Sequence, residues 1–246
     1  MPDANDHTLA ARLATEAGAL LVRLRDELVG VPRWRLMDEG DAAAHEFLVA
    51  ALGVSRPGDA VLSEEGADST ARLSADRVWI LDPLDGTHEY GEGRADWAVH
   101  VALWQGGALV AGAVALPVPG LTLATEPAPS LPPLRTGRPR LITSRSWAPY
   151  AAINVVEALG ADVLRLGSAG AKAMAVVAGE ADIYVHDGGM YEWDTAAPVA
   201  VALAAGLHAS RIDGSPLVYN RRDPWLPDVL ICRAELAEDA IRAIWS

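Results

Sequence analysis

The chain has 246 residues, 51% of them hydrophobic, and a formal net charge of −13 at neutral pH. That apolar content supports one large core or two modest ones, and the acidic balance argues against a duplex nucleic-acid binder, whose affinity rests on Lys and Arg against phosphate. No apolar run approaches the ~18 residues of a membrane span, the opening residues lack a basic-then-apolar leader pattern, and the single cysteine, Cys232, fits a reducing compartment; a cytoplasmic protein with no membrane partner is expected.

Residues 7–25 carry apolar side chains at helical spacing and predict an amphipathic helix. A second helix is expected from Asp41, in "DAAAHEFLVAAL", broken over residues 53–59. "AVLSEE" and "DRVWILD" read as strands that each end in acid, and "WAVHVALWQGGALVAGAVAL" as a hairpin turning at Gln105-Gly106-Gly107. Residues 116–140 hold seven of the sixteen prolines, which rules out a helix. The expected division is residues 1–125, a connector at 126–140, and residues 141–246. Beyond the connector strand and helix alternate, through "ADVLRLGS", "AGAKAMAVVAG", "ADIYVH", "DTAAPVAVALAAG", "DVLICR" and "AEDAIRAIW", the pattern of an α/β fold.

Acidic residues gather at the ends of these elements. Glu64 and Glu65 follow one strand, Asp82 and Asp85 end the next, and Asp41 and Asp194 open helices, positions where open α/β sheets collect ligands. Two carboxylates ~5 Å apart repel by about 3 kcal/mol at an effective dielectric near 20, so something must compensate. An all-carboxylate set suits a hard divalent cation, above all Mg2+; histidine and cysteine are absent from the motifs, and zinc is not expected. The Leu84 carbonyl after Pro83 adds a neutral oxygen. Gly86 allows close backbone approach, the amides of Thr87 and His88 stand where a helix entrance would bind phosphate, and the Thr87 hydroxyl can hold a water. Singly, Asp194 and Asp41 are ordinary N-caps, Asp85-Gly86 an ordinary turn, and Glu64-Glu65 a solvated loop. The combination is what points to a site.

Lys172 is the single lysine beside 19 arginines. It falls near the first turn of its helix, after Ser168 as the expected N-cap, where a cation opposes the helix dipole. A phosphate docked at that N-terminus would favour both its amides and the ammonium; the alternative is an exposed surface lysine.

"EE", "DPLDGT" and "WDTAAPVAVALAAG", in this order and spacing, resemble the inositol monophosphatase superfamily of Mg2+-dependent, lithium-sensitive phosphatases over most of the chain. The resemblance implies a layered αβαβα sandwich, as in fructose-1,6-bisphosphatases. It implies two or three Mg2+ ions held by Glu64, Asp82, the Leu84 carbonyl, Asp85 and Asp194. Thr87 and Asp41 would orient and activate the attacking water, with Glu64 as a further proton acceptor. Substrate contacts are expected from Asp85, Gly86, Thr87, His88, Ser168, Lys172 and Asp194, and a homodimer is the common assembly. "DEGD" departs from the family pattern before the water-activating aspartate, so Asp38, three residues upstream, stands as the alternative to Asp41. "DPLDGTHEY" and the lysine of "GSAGAKAMAVVAGEADIY" further resemble the CysQ-type bisphosphate nucleotidases, particularly their actinobacterial branch. That likeness implies removal of the 3'-phosphate of 3'-phosphoadenosine 5'-phosphate in sulfur metabolism, giving AMP and phosphate, with the sulfated nucleotide as a further substrate. An inositol or broad sugar-phosphate phosphatase is the runner-up, and a non-catalytic phosphate-binding module a remote third.

Overall fold

The computed structural model describes residues 5–246. Helix α1 (Asp6–Glu27) buries Leu9, Leu13, Ala17 and Leu21 along one stripe, which commits that face to a neighbour. With α2 (Arg33–Ser55) it covers one side of a five-stranded sheet. The sheet runs β1 (Ala60–Ser63), β2 (Arg77–Asp85), β3 (Ala98–Gln105), β4 (Ala108–Leu116) and β5 (Leu121–Ala124), spatially as in sequence. Only β1 and β2 pair in parallel. A one-turn helix, α3 (Thr87–Gly91), follows β2.

The second half supplies β6 (Arg140–Ser144), α4 (Tyr150–Leu159), β7 (Asp162–Leu166), α5 (Ala169–Val177), β8 (Ile183–His186) and β9 (Met190–Tyr191). Then come α6 (Glu192–Ala204), β10 (His208–Ser210), β11 (Trp225–Leu226), β12 (Val229–Cys232) and α7 (Ala237–Ile244). The second sheet has the order β10-β12-β8-β6-β7, with β6 parallel to both its neighbours, while β9 and β11 form a separate ribbon.

Helices α5 and α6 lie between the two sheets. Apart from Lys172 and Thr195 their middle stretches are apolar on every side, so α5 buries every residue from Gly170 to Val177 and α6 every residue from Thr195 to Ala202, as a helix with a sheet on each face must. The pair α4 and α7 closes the outer face of the second sheet. The layers are therefore αβαβα. Among the described residues no helix is long and apolar enough to cross a membrane.

The structure departs from the sequence reading in several places. Helix α2 starts at Arg33, about two turns before Asp41. Gly40 does not break it, because glycine there admits neighbours: an added Cβ would fall 2.9 Å from Tyr90 Cε1 and 3.2 Å from Leu84 Cδ2. Strand β5 forms inside the proline-rich stretch, and β6 and α4 follow where no element was expected.

The small residues of the middle layer can be tested directly. Where β4 meets α6, a Cβ on Gly112 would lie 2.8 Å from Ala200 Cβ, so Gly112→Ala is expected to cost about 1–3 kcal/mol through overpacking. Gly53→Ala, on the open face of α2, should instead stabilise by about 0.5–1 kcal/mol. Urea unfolding measures both, and a neutral Gly112→Ala would contradict the close approach of α6 to β4.

Candidate active site

Residues three apart on a regular strand point to opposite faces, yet Asp82 and Asp85 reach the same site. The pairing of β2 with β3 explains this. Asp82 faces His100 and Asp85 faces Ala98, so three steps on β2 answer two on β3, a bulge that turns the later side chain over. Asp82 follows Val78 and Ile80 on the inner face, while Leu84 packs outward with Trp79 and Leu81. Asp194 comes from the first turn of α6. Oxygens of Asp82, Asp85 and Asp194 lie within 4.8 Å of one another. Gly86 turns the chain out of the strand at φ 90°, ψ 42°, a conformation that favours glycine, and a Cβ there would press on Ser168 Cβ at 3.1 Å.

Asp85 is held firmly. Its carboxylate accepts hydrogen bonds from the amides of Ala169 at 3.1 Å and Gly170 at 2.6 Å and from the Ser168 hydroxyl. These donors form the N-terminus of α5, whose dipole favours an anion. His100 Nε2 lies 3.1 Å from Asp85 Oδ2 as a charge contact outside hydrogen-bond alignment. Burial opposes the charge of Asp85, but His100, Lys172 and Ser168 outweigh it and hold the carboxyl down at about 2.

The other carboxyls lack such support. Asp82 is buried, with Oδ1 taking the Leu84 amide at 3.1 Å and Oδ2 without a partner. Burial, then Glu64, Asp85 and Asp194, push it well above the usual carboxylate range. Glu64 reaches solvent just past β1, but lost hydration at its carboxyl and the charges of Asp194 and Asp85 raise it to about 7. Asp194 is raised to about 6 by burial and Asp85, against the Tyr191 amide that it accepts at 2.6 Å. Asp41 is pushed up to about 8 by burial, Glu65, Glu64 and Asp38, and its Oδ1 is also buried without a partner. Hard oxygen donors, two of them orphaned, fit a divalent cation.

The expected residues thus converge, but not all as expected. Asp41 is an interior residue of α2, not its cap, and faces Thr87 from the helix side. Asp194 is the third residue of α6, reaching back to the Tyr191 amide that precedes it. Thr87 opens α3 and donates to the Leu84 carbonyl at 3.1 Å. Ser168 caps α5 and accepts the Ala171 amide at 2.9 Å. The exposed His88 ring faces Arg33 Nη2 at 3.1 Å. Lys172 departs most: it is 4% exposed, its ammonium donates to the carbonyls of Gly167 and Ser168, and it lies 5.4 Å from the Tyr184 ring centroid. Burial draws that ammonium below its ordinary value, against the pull of Asp85. It braces the loop behind Asp85, and the α5 amides expected to bind phosphate are occupied by Asp85 itself.

Two groups escaped the sequence reading. His100 sits in an apolar strand and is seen only through its register with Asp82. Glu192, fully buried, accepts the amides of Asn220 at 2.6 Å and Arg221 at 2.9 Å. Asn220 Oδ1 in turn accepts Arg72 Nη1 at 2.8 Å, and the Arg72 fork grips Asp68. This chain of contacts ties the start of α6 to the segment after Glu64 and Glu65.

A model of the inositol monophosphatase family matches residues 7–128 and 137–246. The chain belongs to the inositol monophosphatase family. Within it, the 3'-phosphoadenosine 5'-phosphate phosphatase of Mycobacterium leprae (strain TN) is 47% identical, covering 98% of this chain and 94% of its own. The 3'(2'),5'-bisphosphate nucleotidase CysQ of Escherichia coli (strain K12) is 30% identical, covering 87% and 94%. Among solved structures, CysQ from Bacteroides thetaiotaomicron matches with a TM-score of 0.78 at 26% identity, covering 92% of this chain and 96% of that one.

In this family member the uneven support of the carboxyls gives two predictions. Asp41, Glu64 and Asp194 hold protons up to about 8, 7 and 6 when folded, against ordinary values of 3.8, 4.5 and 3.8. Between those limits the folded state binds more protons than the unfolded one, so without metal these groups lose stability as pH rises. His186 and His208, depressed by burial, act oppositely. A divalent cation needs the ionised carboxylates, so the gain in Tm on replacing EDTA by saturating Mg2+ should widen from about pH 5.5 to about pH 8. A gain that shrinks over this range would remove the assignment. Second, with EDTA at neutral pH, Asp82→Asn should melt no lower than the parent, since the fold does not support an anion at that position. Asp85→Asn should lose about 1–3 kcal/mol by leaving the α5 donors unpaired. Equal effects in the two variants would contradict the asymmetry.

Proposed function

We propose that the chain is a Mg2+-dependent phosphatase that removes the 3'-phosphate of 3'-phosphoadenosine 5'-phosphate, giving AMP and inorganic phosphate. The observation that carries the chemistry is the buried, partnerless Asp82 oxygen within 4.8 Å of oxygens from Asp85 and Asp194. The nucleotide substrate rests on the names borne by the Mycobacterium leprae and Escherichia coli relatives, together with the "THEY" segment. The sulfated nucleotide is a second substrate in this reading, sulfate assimilation the setting, and the lone buried Cys232 fits the reducing cytoplasm in which we place it.

Glu64, Asp82, Asp85, Asp194 and the Leu84 carbonyl would hold the ions. Bound there, divalent cations supply positive charge to the phosphoryl oxygens and acidify the attacking water. Thr87 spends its proton on the Leu84 carbonyl, which leaves its oxygen lone pairs to accept a hydrogen bond from water. Asp41 stands beside that hydroxyl and Glu64 at the mouth; with divalent charge nearby both ionise, the state in which either takes up a proton. Phosphate monoesters are so inert that positioning and charge neutralisation must supply nearly all the acceleration.

Phosphate release should be measured with Mg2+, with and without lithium, on 3'-phosphoadenosine 5'-phosphate, its sulfated form, inositol 1-phosphate and fructose 1,6-bisphosphate. The adenosine bisphosphates are expected to lead in kcat/KM, with turnover falling by several orders of magnitude in Asp82→Asn. A lead for inositol 1-phosphate would keep the metal site and overturn the nucleotide assignment.

A further inference from the structure

His100 is fully buried at the centre of the molecule, on the inner face of β3. A histidine in such a place gives up hydration at both ring nitrogens, and here only Nδ1 has a hydrogen-bond partner, while Nε2 meets a carboxylate by charge contact. Here one nitrogen faces each of two elements. Nδ1 lies 3.1 Å from the carbonyl of Trp193, the residue before Asp194, and Nε2 lies 3.1 Å from Asp85 Oδ2. Asp82 Oδ2 is 3.8 Å from Nδ1. The neighbouring helix leaves room for the ring: a Cβ on Gly170 would fall 2.1 Å from Nε2.

We propose that His100 is a positioning residue for the metal centre, holding the end of β2 that carries Asp85 against the start of α6 that carries Asp194. These ligands come from distant parts of the chain and repel each other, so their separation is set by whatever lies between them. The ring is a rigid spacer of fixed length in that place. This inference rests on the reading of Asp82, Asp85 and Asp194 as metal ligands.

The test is Mn2+ binding to the full chain without substrate, followed by the electron paramagnetic resonance of the free ion, alongside Tm in EDTA. In His100→Asn the amide nitrogen replaces Nδ1 and keeps the Trp193 contact only. In His100→Gln it replaces Nε2 and keeps the Asp85 contact. Each variant breaks one side of the bridge, so both should bind Mn2+ about 10- to 100-fold more weakly, the usual effect of losing a partner that orients a ligand, with Tm in EDTA close to that of the parent. A merely structural histidine predicts losses of Mn2+ affinity that follow Tm in both variants, and that result, or unchanged binding in both, overturns the proposal. Asp82→Asn is the control: if it binds Mn2+ as well as the parent, the ligand assignment itself fails, whatever His100 does.

Discussion

The structure is organised around repulsion between carboxylates. Oxygens from three aspartates meet within 4.8 Å, and each ionised pair at that range costs roughly 3 kcal/mol at an effective dielectric near 20. The fold offsets most of this cost at one member. Asp85 receives the α5 N-terminus, the Ser168 hydroxyl and the His100 ring. Asp82 and Asp41 each keep a buried oxygen with no partner. One carboxylate is thus fixed as an anion and the rest are left short of positive charge, the condition under which a cation gains most by entering. A cluster satisfied throughout by protein donors would be more stable and would bind metal less well.

That arrangement requires the middle layer. Both α5 and α6 direct their N-termini to the site, where each terminus favours negative charge by about 0.3–1 kcal/mol. Asp85 sits on one terminus, and Asp194 belongs to the other. Reaching the bulge of β2 from between two sheets demands helices thin enough for both faces, which is why alanine, glycine and valine dominate them. The Glu192–Asn220–Arg72–Asp68 chain then brings the segment after Glu64 toward the same helix start.

Much of this was legible in the sequence, and the gaps have physical causes. "DPLDGT" could be read because its strand end, turn and helix entrance lie within a few residues. The buried helices could be read because a segment apolar on every side has few other places to go. The start of α2 could not: its first two turns mix charge with Gly40, whose missing side chain matters only once Tyr90 and Leu84 pack on it. His100 is invisible without the β2–β3 register, a long-range fact. Where the Lys172 ammonium points could not be read, since nothing local shows that its acceptors are two carbonyls of its own loop.

The acidic surface adds a last constraint. A chain at −13 repels a polyanionic substrate over long range, and several arginines of the neighbouring segments are already engaged: Arg145 with Glu89 and Glu92, Arg94 with Asp96, Arg33 with Glu92. The charge that attracts phosphate must then arrive largely with the metal. Cation and phosphate therefore bind with favourable coupling, and by linkage each tightens the other by the same factor. Metal affinity without substrate is the weaker limb of that cycle. The partly unsupported carboxylates set it there, leaving the full complement of positive charge to be recruited when a phosphate is present to share it.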